Sequence, residues 1–239
     1  LVVVAAHVVD GRRTNCRGEN VIRTALLVAA KDLRIERRSR VLLWQVVPFG
    51  VMALLLCGLA LGPQRAGRSS AAPGLFYIVV LLVALLMINR SYAVESTPGT
   101  RASIATLGLD PAGVFLGKAL ALCVELWLAG AVLLVGSVVF LHTALHGTVL
   151  ALPSIVVTIG ALAAAGTLYG ALTTGGSGPA TLLPVLCLPA FAPLLIAGER
   201  SFSAALYGGA AWEWWVISLV ALAGYLALGI LLYGVLEES

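Results

Sequence analysis

INRSYAVESTPGTRASIATLGLDPAGVFLGK, residues 88–118, is the long polar-studded interval in an otherwise greasy chain. It carries Arg90, Arg101 and Lys118 beside Glu95 and Asp110. Pro98-Gly99 and Asp110-Pro111 punctuate it as helix boundaries. Apolar runs flank it on both sides. Lipid offers no partner to the backbone of a non-helical segment, so this interval has to cross water between two membrane spans. It reads as an aqueous contact surface of a membrane protein.

Working outward, the 239 residues are 60% hydrophobic and 11% charged. A soluble domain carries roughly 25% charged residues, so lipid must solvate much of this surface. At about 20 residues per span, the length suits one bundle of about six helices. The four cysteines, Cys16, Cys57, Cys123 and Cys187, show no CxxC pairing. Three lie in apolar runs and read as small hydrophobes, so neither a disulfide framework nor a zinc site is expected.

Residues 1–20 begin with about nine apolar positions, too few to span. An aperiodic polar run follows, and the segment is expected to be a disordered extension. Over 21–40, Ile22, Leu26, Ala29, Ala30 and Leu33 recur at helical spacing, and Lys31, Arg34, Arg37, Arg38 and Arg40 crowd the far end. That pattern predicts a basic amphipathic helix at the membrane surface, its arginines near lipid phosphates. A permease domain over 41–239 follows. Its spans are expected at 41–61 (with Pro48 as a kink), 75–88, 119–141, 149–172, 181–197 and 214–236. Loops or turns are expected at 64–74, 89–118, 142–148, 173–180 and 198–213. Basic residues in short loops mark the cytoplasmic face. Arg90, Arg101, Lys118 and the arginines of 34–40 therefore go inside, Arg65, Arg68 and Arg200 outside, and both termini inside.

Few residues invite chemistry. GVFLGKA at 113–119 lacks the spacing and the hydroxyl of a phosphate-binding loop, and TTGGSGP at 173–179 lacks its lysine. ATP hydrolysis therefore belongs to a separate chain. Glu125 stands inside a predicted span, where a carboxylate is costly and must face the bundle, a partner or a cavity. His142 and His146 are four apart, so on one helix they would share a face and offer a metal or haem ligand pair; otherwise they are polar turn residues. Gly58/Gly62 and Gly166/Gly170 have the spacing of close helix contacts and weakly suggest a dimer. Trp212, Trp214 and Trp215 form either an interfacial belt or a platform for a flat ligand.

The order of several motifs resembles the CcmB family, haem exporter protein B of cytochrome c maturation, an ABC-2-type permease subunit. The motifs are LGP at 61–63 and APG at 72–74, NRSYAVESTPGT at 89–100, LGLDPAGVFLGK at 107–118, and TLLPVLCLPAFAPLLIAG at 181–198. The likeness runs from about residue 33 to the C-terminus. It implies an all-α membrane protein of six transmembrane helices, with the basic helix of 21–40 as an elbow. It implies a non-catalytic subunit of a bacterial inner-membrane complex that transmits the motion of a CcmA-like ATPase to haem handling by CcmC-like and CcmD-like membrane proteins and to release of a CcmE-like haem chaperone. Two copies per complex are expected, with haem in the complex rather than held by this chain, and with no nucleic-acid partner. The resemblance also implies a coupling helix in the 89–118 loop, seated in a cleft of the ATPase. Thr100 to Leu107 would form it: Ile104 and Leu107 give the apolar contact, Arg101 pairs with acidic groups, and Glu95, Pro98, Gly99, Asp110 and Pro111 set its ends. The alternatives are an ABC-2 permease exporting a lipid, glycan or drug, and a secondary transporter working alone. The last would need ion ligands in both halves of the bundle, and Glu125 is the one ionisable midspan group.

Overall fold

Apolar runs that face lipid must satisfy every backbone group internally, and the described chain does so with helices. The computed structural model describes residues 2–62, 65–95, 110–175 and 182–237. Helix α1 runs Val2–Ser39. It takes in the expected surface helix over 21–40 and continues back through residues that the sequence left without structure. Arg40 adopts a left-handed conformation, φ 53°, and breaks the helix before the first span. A π-helical turn, Leu42–Val46, then leads into α2, Val47–Ala60. Pro48 sits in the first turn of α2. It stands directly after the π turn, within the continuous helical stretch Leu42–Ala60, where a proline that cannot donate its N–H goes with a local departure from α-helical bonding.

Helix α3, Arg65–Glu95, is much longer than the expected 75–88 span. The Gly- and Ser-rich stretch before position 75 reads as a loop, yet it is helical and passes through Pro73. Tertiary contacts hold it there. Ala72 is fully buried, and the Tyr207 hydroxyl donates to the Ser69 carbonyl. Helix α4, Pro111–Leu141, begins earlier than the expected Ala119. Asp110 caps it by accepting the Ala112 N–H at 3.0 Å, and Pro111 occupies the first turn.

The expected tight turn at 142–148 is instead His142 in the left-handed region, φ 58°, followed by a short helix α5, Leu145–Leu150. Helix α6 is Leu152–Gly175, α7 is Leu182–Tyr207 and α8 is Trp212–Glu237. Pro189 and Pro193 lie within α7 without ending it. The expected loop over 198–213 shrinks to residues 208–211, where Gly208, at φ 83°, supplies the left-handed turn.

Among the described residues five helical stretches are long and apolar enough to cross a membrane: Leu42–Ala60, Ser69–Tyr92, Pro111–Leu141, Leu152–Leu172 and Trp212–Leu232. Helix α7 packs with them against α3, α6 and α8. The centre is α6: 78% of its membrane window is buried inside the protein, against 11% for α8. Its run Ala161–Leu162–Ala163–Ala164–Ala165 is buried throughout, so small side chains let α3, α4, α7 and α8 close around it. Phe76 anchors the opposite corner, edge-to-face on Tyr77 and Phe202 at 5.2 and 5.6 Å between centroids. Gly166 and Gly170 receive Ile88 and Tyr92 of α3 within the same chain, and Gly58 lies against the Phe140 carbonyl of α4. Gly166/Gly170 and Gly58 are thus used inside the bundle rather than left on a dimer face.

Candidate functional site

The distinctive polar site lies where α1 meets the bundle, and it begins with small residues. Thr24, Ala25, Val28 and Ala29 form the buried stripe of α1. They meet α4 at Gly113 and Gly117, where an added Cβ would stand 2.7 Å from Thr24 Cβ and 2.6 Å from the Ala25 carbonyl oxygen. Only glycine permits this approach. Of the stripe Ile22–Leu26–Ala29–Ala30–Leu33, expected to lie on the membrane, only Ala29 belongs to this protein-facing stripe. Ile22 and Leu26 are 62% and 59% exposed, because α1 turns its smallest residues inward.

One and two turns further along the inward face stand Asp32 and Glu36. Glu36 ties three elements together. Its carboxylate accepts the Leu42 N–H at the start of the π turn and a hydrogen bond from the Ser39 hydroxyl at 3.3 Å. It also pairs with Arg90 of α3 at 3.5 Å. The same Arg90 nitrogen donates to the Ser39 hydroxyl at 3.1 Å. Beneath this knot is a cleft of about 70 Å³, lined by Asp32, Glu36, Arg90, Ser91 and Glu125 among others. Glu125 reaches it from α4, so that carboxylate opens into a polar junction between α1, α3 and α4 rather than toward lipid.

Beside it, Lys118 is 5% exposed and sets its ammonium 5.1 Å from the centroid of the Tyr92 ring, a cation–π geometry. The Tyr92 hydroxyl donates to the Thr167 carbonyl at 2.6 Å, tying α3 to α6. Lys118, read from the sequence as a loop cation, is thus a buried residue of α4.

Of the expected coupling residues, Pro98, Gly99, Thr100, Arg101, Ile104 and Leu107 lie outside the described residues. Glu95 is the last residue of α3, while Asp110 and Pro111 form the cap and first turn of α4. His142 and His146 do not share a helix face. His142 ends α4 in a left-handed conformation and His146 is on α5, both exposed. Among the described residues no group of three or more His, Cys, Asp or Glu is placed to hold a metal. Trp212 is exposed at the start of α8, and the Trp127 indole N–H donates to the Val156 carbonyl at 3.1 Å.

Sequence reasoning did not single out Asp32, Glu36, Ser39, Gly113 or Gly117 for the site. The signal for the acids was present as the i, i+4, i+8 series Val28–Asp32–Glu36 on one helix face. The signal for the glycines was their spacing of four, hidden by comparison with a phosphate-binding loop.

Long apolar helices around an alanine-rich centre, and a basic helix docked on their flank by glycine contacts, define a multi-pass helical membrane protein. Its polar knot holds structural elements together at one end of the bundle. The family model described as CcmB protein matches residues 23–233, and the chain belongs to the CcmB family. It is 30% identical over 181 residues to heme exporter protein B of Paracoccus denitrificans strain Pd 1222, covering 74% of this chain and 80% of that one. It is 28% identical to heme exporter protein B of Rhodobacter capsulatus over 171 residues, covering 72% and 78% of the two chains. To the Pseudomonas aeruginosa protein of that name it is 28% identical over 208 residues, covering 82% and 89%.

Proposed function

We propose that this chain is the non-catalytic membrane subunit of an ATP-driven complex serving haem handling in cytochrome c maturation. Membership of the CcmB family supports the haem assignment, as does the name heme exporter protein B borne by its relatives. In this reading a separate CcmA-like chain hydrolyses ATP. CcmC-like, CcmD-like and CcmE-like proteins receive and carry the haem, and two copies of the permease serve one complex in the bacterial inner membrane with both termini cytoplasmic. Haem is cargo of the complex, not a resident group of this chain.

The observation that carries the mechanical part is the layout around residues 96–109. Helix α3 runs without interruption to Glu95 on one side of that connection, and Asp110 caps α4 on the other. Any force on the connection therefore acts on two long helices directly. At the same end, Arg90 ties α3 to Glu36 and thereby to α1 and the start of the first span. Closure of the ATPase would push a coupling helix at 100–107 and shift α3 and α4 as rigid rods, with the Arg90–Glu36 knot carrying the motion into α1.

The test is co-purification. I104D/L107D inserts into the membrane normally and no longer brings down the ATP-binding chain. Undiminished capture of that chain by the double variant would remove the coupling helix from this account.

A further inference from the structure

Helix α1 separates its charges in a way that residue counts conceal. The stretch 31–40, KDLRIERRSR, mixes five cations with two acids. The structure turns both acids inward, where Asp32 pairs with Lys31 at 3.0 Å and Glu36 pairs with Arg90 at 3.5 Å. Arg34, Arg37 and Arg38 are all exposed. At about 100° per residue they share one outward face roughly 100° wide. Among the described residues none of the three has an ion-pair partner. The exposed surface of this turn is therefore more cationic than its net charge.

Two further features set the depth of that surface. Leu26 and Leu27, two turns back on the same helix, are 59% and 62% exposed, so apolar side chains project beside the arginines. Trp44, in the π turn just beyond, is 77% exposed and bound through its backbone to the Arg40 carbonyl at 3.1 Å. An exposed indole at the start of a span settles at the level of the lipid head groups. Arg37 and Arg38 precede it by seven and six residues and Arg34 by ten, so the three guanidinium groups lie within reach of the segment that this indole marks.

We propose that Arg34, Arg37 and Arg38 form a binding surface for anionic phospholipid head groups, with guanidinium groups pairing with phosphate and the neighbouring leucines meeting the acyl chains. The glycine contacts of Gly113 and Gly117 and the Glu36–Arg90 pair hold α1 in the one rotation that presents this face. The lipid is then a bracket on the outside of the same helix that the polar knot grips from within. Nothing here depends on which protein drives the complex.

The test uses the full-length chain in neutral detergent, titrated with phosphatidylglycerol or phosphatidylcholine and followed by native mass spectrometry. Phosphatidylglycerol is expected to bind more tightly, and the preference is expected to fade as salt rises. R34Q/R37Q/R38Q should weaken phosphatidylglycerol by on the order of five-fold per arginine at low salt and leave phosphatidylcholine unchanged. R34K/R37K/R38K should keep the preference, and R200Q, at the far end of the bundle, should not alter it. Equal binding of the two lipids by the unaltered chain, or a preference insensitive to salt, overturns the proposal. It is equally overturned if the glutamine variant keeps its lipid preference but loses an acidic protein partner, since the surface is then a protein docking site.

Discussion

Glu36 accepts from a backbone N–H of the next element and from Ser39, and forms an ion pair with Arg90 across the helix pair. Its worth lies in connection rather than in raw electrostatic energy. Arg90 is one-third exposed, so solvent weakens the ion pair, and a charge-assisted contact of this kind contributes about 1–2 kcal/mol. Arg90→Gln should lower stability by about that much in thermal unfolding in detergent, and Glu36→Gln by a similar amount. E36Q/R90Q should cost less than the sum of the two, because each single change already removes the shared contact. Strict additivity would mean that the two side chains do not interact. Gly117 gives the second prediction at this scale. Gly117→Ala places a methyl 2.6 Å from the Ala25 carbonyl, a backbone atom that cannot swing away. About 1–3 kcal/mol should be lost, with faster amide exchange around Ala25 as α1 lifts from α4. Gly67→Ala, where an added Cβ meets nothing within 4 Å, should be neutral or stabilising by up to about 1 kcal/mol.

Elements differ in what limits them. From Thr158 to Ala171 helix α6 is enclosed almost throughout, so the size of its side chains is set by its neighbours; α8 leaves most of its surface outside the bundle, so its side chains need only be apolar. Ala163→Leu, at 1% exposure, should overpack the centre and cost about 1–3 kcal/mol. Leu219→Ala on α8, at 57% exposure, should change the unfolding temperature little, because lipid replaces most of the lost contacts. Comparable losses at the two positions would mean that α8 is covered by protein rather than lipid. The helix ends follow a similar division. Asp110-Pro111 announces its helix start in the sequence and provides it in the structure. The start of α3 has no such announcement: Arg65 to Gly74 is helical because Ala72 is buried and Tyr207 binds Ser69.

At the scale of the molecule, the chain is a lipid-solvated bundle with polar fastenings at one end. A charge placed on the outer face of α8 must enter hydrocarbon. Val220→Lys should therefore raise the cost of inserting that helix by about 2.5–3.5 kcal/mol, seen as less membrane-integrated protein in a glycosylation-mapping assay. Normal integration would mean that α8 does not cross the bilayer. Composition and apolar run length alone determined that the protein is helical, lies in a membrane and needs a polar connection within residues 89–118, because the bilayer as solvent leaves the backbone no other choice. The ordered motifs carried the family, and residues 23–233 match it. Tertiary structure alone decided which stripe of α1 is buried, that Gly113 and Gly117 are where it docks, that Gly166 and Gly170 serve α3, and that Asp32, Glu36, Arg90 and Glu125 meet in one cleft. The physical reason is that in lipid a leucine gains little by burial against protein. Hydrophobic periodicity then no longer says which face turns inward, and close packing of small residues and pairing of charges make that choice instead.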